Sequence, residues 1–200
     1  MSKPTETTYP IHSLIADRWS PRAFTDRELT NAELGSLLEA ARWAPSCFNE
    51  QPWRFLVARR ADGADFTRLA DCLMDGNAWA KNAAALVMTV ARTTFERNDK
   101  PNRHAWHDVG LATMSLVVQA EALGLVSHQM AGFDPQAART NLGIPEGFEP
   151  VAMIALGYPG AAAGLPEALR EREAAPRARR ELLTIVFGAG WGASIPLASE

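Results

Sequence analysis

The chain has 200 residues, 47% apolar and 22% charged, with a formal charge of −3 and a pI near 5.8. That length suits one sizeable domain over residues 1–200 with a true core, and the acidic balance argues against a nucleic-acid partner, which favours a basic face. No apolar run is long enough to span a bilayer, MSKPTETTYP does not read as a signal peptide, and two cysteines, Cys47 and Cys72, fit a reducing cytoplasm without a disulfide framework or zinc pattern.

Ile11, Leu14 and Ile15 mark a short amphipathic turn. Thr30 opens T-N-A-E, a capping box with Glu33 at the third helical position. Leu34, Leu37, Leu38 and Ala41 follow at helical spacing, and Pro45 stops the helix near Ala44. After the loop PSCFNEQP, WRFLVAR reads as a strand. Phe66, Leu69, Ala70 and Leu73 give a second helix, ended by the turn DGN. AALVMTVA (84–91) and VAMIALGY (151–158) read as buried strands. Residues 108–123 read as a helix apolar nearly all round, which must be covered all round, in the core or at a subunit interface. Asp134-Pro135 starts a short helix. The charged stretch PEALREREAAPRARRE reads as mostly solvated, LLTIVFG as a last strand and GAGWGASIP as an extended tail. Helices and strands mix without strict alternation, so an α+β fold is expected.

Three clusters carry possible chemistry. In RWSPR (18–22), Pro21 favours extended backbone, and alternate side chains of an extended segment share a side. Arg18, Ser20 and Arg22 then converge as two guanidinium forks and a hydroxyl, a receptor for a phosphate dianion; the competing possibility is a surface pair bound to carboxylates. The loop APSCFNEQPW places Ser46, Asn49 and Gln51 between Pro45 and Pro52. Their amides and hydroxyl suit a heterocycle edge, although Asn and Ser are also ordinary turn residues. Arg177 and Arg179 share a side if extended, with Arg180 beside them.

Other signals are weak. GAGWGA (188–193) fits a dinucleotide pattern, but too little chain follows for the helix and strand that motif requires. His104, His107 and Asp108 lack a further metal ligand. Ser46 has no nucleophile-elbow context and Cys47 no paired base, so a colourless hydrolase is a remote alternative.

R-x-S-x-R-x-F followed by A-P-S-x-x-N-x-Q-P-W-R-F resembles the nitroreductase family of flavoproteins, and the likeness continues through ALVMTVA, EALGL, GFD, ALGYP and RRELLTIVFGAGWG, roughly residues 11–192. The resemblance implies a nitroreductase-like fold: a central, mostly antiparallel sheet flanked by helices, in an intertwined homodimer with FMN at the subunit interface. It implies that Arg18, Ser20 and Arg22 hold the FMN phosphate, completed by Arg179 with Arg180. Pro45, Ser46 and Asn49 would contact the flavin from the neighbouring subunit, Gln51 would support the loop, and Asn77 would lie near the isoalloxazine. Gln129, Met130, Ala131 and Gly132 would pass beside the ring and offer backbone donors. The implied activity is ping-pong hydride transfer from NADH or NADPH to a small planar acceptor such as a nitroaromatic or quinone, with no side-chain triad required. Alternatives are another flavin and oxygen chemistry, such as flavin fragmentation or dehalogenation, and a non-catalytic flavin sensor.

Overall fold

The structure is a computed structural model and describes Lys3 and residues 5–197. Ser13–Ala16 forms one helical turn (α1). α2 (Asn31–Arg42) starts where the capping box placed it. The Thr30 hydroxyl accepts from the Glu33 N–H at 3.2 Å, and the Glu33 carboxylate accepts from the Thr30 N–H at 2.8 Å. Two donors that a helix start leaves orphaned are thereby satisfied.

Four strands follow: β1 (Trp53–Arg59), β2 (Ala85–Arg92), β3 (Val126–Met130) and β4 (Phe148–Gly157). They form one sheet in the order β1-β2-β4-β3, each neighbouring pair antiparallel. Side chains alternate across a strand. Val87, Ala91, Ile154 and Leu156 therefore pack on one face against α2 and α4 (Ala105–Ala122). Leu86, Met88, Met153 and Ala155 pack on the other against α3 (Ala64–Ala70) and α5 (Pro135–Leu142). Both faces are covered, which is why the two central strands read as unbroken apolar runs. Thr89 is the polar exception. It sits at a register shift between β2 and β4, and its hydroxyl donates to the Ala152 carbonyl and accepts the Ala152 N–H, both at 3.1 Å. The bulge adds Val151 to β4 without a partner in β2, and beside it the Thr89 hydroxyl takes the place of ladder bonds at Ala152.

Four expectations are corrected. LLTIVFG is not a strand: Leu182–Thr184 form one 3-10 turn, and Leu183 and Ile185 are exposed. An apolar run becomes a strand only where a neighbour accepts its backbone bonds, and the sheet ends at β1 and β3. β3 was not anticipated, because Ser127, His128 and Gln129 interrupt its apolar pattern. The charged stretch holds a further helix, α6 (Glu167–Ala174). α4 begins at Ala105, earlier than expected; within one chain Trp106, 45% exposed, and Met114, 38% exposed, lie open, which leaves the subunit-interface alternative untouched. Among the described residues no helix is long and apolar enough to cross a membrane.

Candidate functional site

RWSPR leads into a segment pinned to the end of β4. Thr25 N–H donates to the Tyr158 carbonyl at 3.0 Å, Gly160 N–H donates to the Ala23 carbonyl at 2.9 Å, and Phe24 bridges Pro159. Position 160 has to be glycine, since a Cβ there would lie 2.5 Å from the Phe24 carbonyl oxygen. From the other side, His128 Nδ1 donates to the Pro21 carbonyl at 3.1 Å, which fixes the tautomer. Burial, foremost, holds His128 down at about 4, with the nearby charges of Arg22 and Arg18 acting the same way, so this imidazole is neutral at pH 7.

The segment presents Arg18 and Ser20 to a cavity of about 470 Å³. Arg18 Nη1 donates to Ser20 Oγ at 3.2 Å. Gln129 of β3, Met114 of α4, and Arg177 and Arg179 beyond α6 also line the space. Burial first, then the charges of Arg177 and Arg179, hold the Arg18 guanidinium below its ordinary value, while Glu121 opposes them. Arginine nevertheless stays charged at neutral pH. Three cations and the Ser20 hydroxyl line the cavity with Glu6 as its one carboxylate, a net positive lining, and forked donors suit the oxygens of a phosphate. Arg177 is itself anchored, donating to the carbonyls of Ala16 and of Lys3 (3.1 Å to the latter).

Two residues assigned to this cluster lie elsewhere. Arg22 turns away from the cavity lining. Its guanidinium faces Glu173 at 3.6 Å and lies 5.8 Å from the Trp79 ring centroid. The cause is that buried carboxylate, hidden in sequence within the charge run. Arg180 lines an adjoining groove of about 940 Å³ with the 5–11 segment.

The loop after α2 is built differently. Phe48, Asn49 and Gln51 have φ of 55°, 59° and 48°, the left-handed region that non-glycine residues seldom occupy. Ser46 Oγ accepts the Gln51 N–H at 3.0 Å, and the Gln51 side-chain amide donates to the Asn49 carbonyl at 3.1 Å. Gln51 thus supports the loop. The Cys47 N–H donates to the buried Asp108 carboxylate at 3.0 Å, which ties the loop to the first turn of α4. Pro45, Phe48 and Asn49 are exposed.

Asn77 meets the turn after β3, its amide donating to the Gly132 carbonyl at 2.9 Å. A Cβ at Gly132 would stand 2.5 Å from that amide nitrogen. Met130 is buried in the core, so only its backbone is available, while Ala131 is exposed. The structure therefore joins Arg18, Ser20, Gln129, Arg177 and Arg179 in one cavity and Asn77 with Gly132 in one turn. It does not join the loop to the cavity within one chain. The loop sits on Asp108, whereas the cavity abuts Met114 and Val117, about 9–14 Å further along α4 at a rise of ~1.5 Å per residue. Glu173, His128 and the anchoring role of Asp108 had no readable signal in sequence.

Known proteins resemble this chain over most of its length. A family model described as the nitroreductase family matches residues 15–91 and 73–158. An uncharacterized 15.4 kDa protein of Mycolicibacterium smegmatis is 39% identical over 146 residues, covering 70% of this chain and 97% of its own. An NADH dehydrogenase of Thermus thermophilus is 29% identical over 188 residues, covering 77% and 90%. A crystal structure described as an oxidoreductase containing FMN superposes with a TM-score of 0.88 at 37% identity, over 94% of this chain and 96% of that one. With the family model matching most of its length, this chain belongs to the nitroreductase family.

Proposed function

We propose that this member of the nitroreductase family is an FMN-dependent oxidoreductase that takes hydride from NADH or NADPH and passes it to small planar acceptors such as nitroaromatics or quinones. The observation that carries the proposal is the cavity in which Arg18, Ser20, Arg177 and Arg179 gather around space for an anion. Bound FMN supplies the hydride chemistry. The chain binds and orients it. The three guanidiniums and the Ser20 hydroxyl hold the phosphate, with Gln129 on the same wall. The turn of Met130, Ala131 and Gly132, braced by Asn77, would offer backbone N–H groups to the flavin. Outside the cavity lining, Arg180 adds positive potential from the adjoining groove, while the charge of Arg22 is offset by Glu173.

The site requires a homodimer in this proposal. Pro45, Ser46 and Asn49 lie too far along α4 to meet the cavity of their own chain, so a second copy supplies them. Ile11, Ile15 and Met114 line the cavity and are exposed, and on α4 the exposed Trp106, Gly110 and Met114 recur every four residues along one stripe. A second copy covering this strip would also complete the burial that α4 lacks.

Anaerobic titration of the purified protein with each nicotinamide tests the proposal. The expected result is a flavin absorbance that bleaches with NADH or NADPH and returns on adding a quinone. Protein that is colourless and takes up no added FMN overturns it. Flavin that binds and stays oxidised with both donors assigns a sensor instead, and cleaved flavin or dehalogenated product under oxygen assigns the alternative chemistry.

A further inference from the structure

We propose that Glu173 is a positioning residue that ties the two halves of the anion cavity together; this rests on the assignment of that cavity to the FMN phosphate. One half is the extended segment bearing Arg18 and Ser20. The other is the stretch bearing Arg177 and Arg179, which leaves the end of α6 in extended backbone at Ala175. The two halves are remote in sequence, and neither belongs to the sheet. Glu173 is the one buried residue of α6, its side chain 5% exposed. Its Oε1 accepts the backbone N–H of Arg22 at 2.6 Å and faces the Arg22 guanidinium at 3.6 Å. Lys3 reinforces the joint, its ammonium donating to the Glu173 carbonyl and lying 4.7 Å from the Trp19 ring centroid. A buried charge is costly unless paired. Leu169 also packs α6 against the core, but an apolar contact is non-directional, so the paired carboxylate fixes how α6 meets segment 18–25 and with it where the following arginines enter the cavity.

This role runs against simple electrostatics. A carboxylate at the edge of an anion site repels the anion, so if Glu173 acted only through its charge, removing that charge would tighten FMN. If it acts through its hydrogen bond, reach matters more than charge. Two variants separate these effects. E173Q loses the charge and keeps an acceptor at the same reach. E173D keeps the charge and withdraws the acceptor by one methylene.

Apoprotein of the full chain is titrated with FMN and, separately, with riboflavin, which lacks the phosphate. The expected result is that E173D weakens FMN roughly tenfold or more, as for a lost hydrogen bond to a charged group. Riboflavin affinity changes far less, and E173Q binds FMN within about threefold of wild type. E173D binding FMN as wild type does, or E173Q binding it tenfold more tightly, overturns the assignment. Equal weakening of FMN and riboflavin also overturns it, because that marks general loss of structure. Should E173D not fold, E173Q alone decides, a tenfold change in either direction being the overturning result. Wild-type protein that binds FMN no better than riboflavin refutes the cavity assignment itself, a failure distinct from that of Glu173.

Discussion

The segment 18–25 and the loop 45–51 both lie outside the α-helices and the sheet, the loop holding only a 3-10 turn at Cys47–Asn49, and they are held in different ways. The first is extended and its backbone is fastened from afar: by Glu173, by His128, and by the chain at Tyr158 and Gly160. The second is contorted and fastened partly by itself, through Ser46 to Gln51 and Gln51 to Asn49, with outside anchors at Asp108 and at Glu96, whose N–H donates to the Glu50 carboxylate at 2.8 Å. The difference teaches where precision comes from. Two residues that pair across the chain close a long loop, an entropic cost that grows slowly with its length and that the rest of the fold has already met. The anion cavity can thus be assembled from sequence-remote arginines without local strain. The loop has only a handful of residues in which to turn and present Asn49, so it accepts left-handed backbone at Phe48, Asn49 and Gln51, each sparsely populated for non-glycine residues.

The contrast breaks most sharply at Gly160. Gly160→Ala drives a Cβ into Phe24 backbone atoms that cannot yield. It should cost about 3 kcal/mol, at the upper end for a single substitution, measured by urea unfolding, and should also release flavin because segment 18–25 loses its seat. An alanine with unchanged stability would show that the pinning is soft. Next is acid. The folded-state value of His128, about 4, lies below its ordinary 6.5, so the unfolded chain binds the proton more readily. Stability is complete above pH 6.5 and falls as pH drops toward 4, by at most ~3 kcal/mol. His128→Gln should flatten that slope in pH-dependent melts, whereas an equal slope would place the titration elsewhere.

Third, Arg18→Ala should weaken FMN about tenfold or more, the cost of a charge-assisted contact, while Arg22→Ala, outside the lining, should cost less. Equilibrium titration ranks them, and the reverse order would mean that Arg22 swings into the cavity. The smallest effect is expected in the loop. Phe48→Gly relieves a left-handed φ but loosens the unfolded chain, so stability should change by less than about 1 kcal/mol. The preference for FMN over riboflavin should persist, and its loss would bring the loop into the phosphate site.

Legibility in the sequence followed the range of the interactions. The capping box at Thr30 and Glu33, the proline brackets of the loop and the unbroken run of β2 are local patterns, and each appears where expected. RWSPR announced its cationic character, yet the partner of Arg22 lies 151 positions away in a stretch that reads as solvated. β3 escaped notice because its polar residues are engaged by tertiary partners, His128 by Pro21 and Gln129 by the cavity. LLTIVFG misled because its composition favours a strand while no strand edge receives it.

By itself the sequence determined the elements whose causes are short-range, where α2 starts and which strands are buried on both faces, and it suggested Arg18, Ser20 and Arg22 as an anion-seeking set. Only the tertiary structure decided which cations share one cavity. It placed Arg177 and Arg179 beside Arg18 and gave Arg22 to Glu173. A guanidinium goes to whichever counter-charge the fold brings nearest, and chain order does not encode that distance.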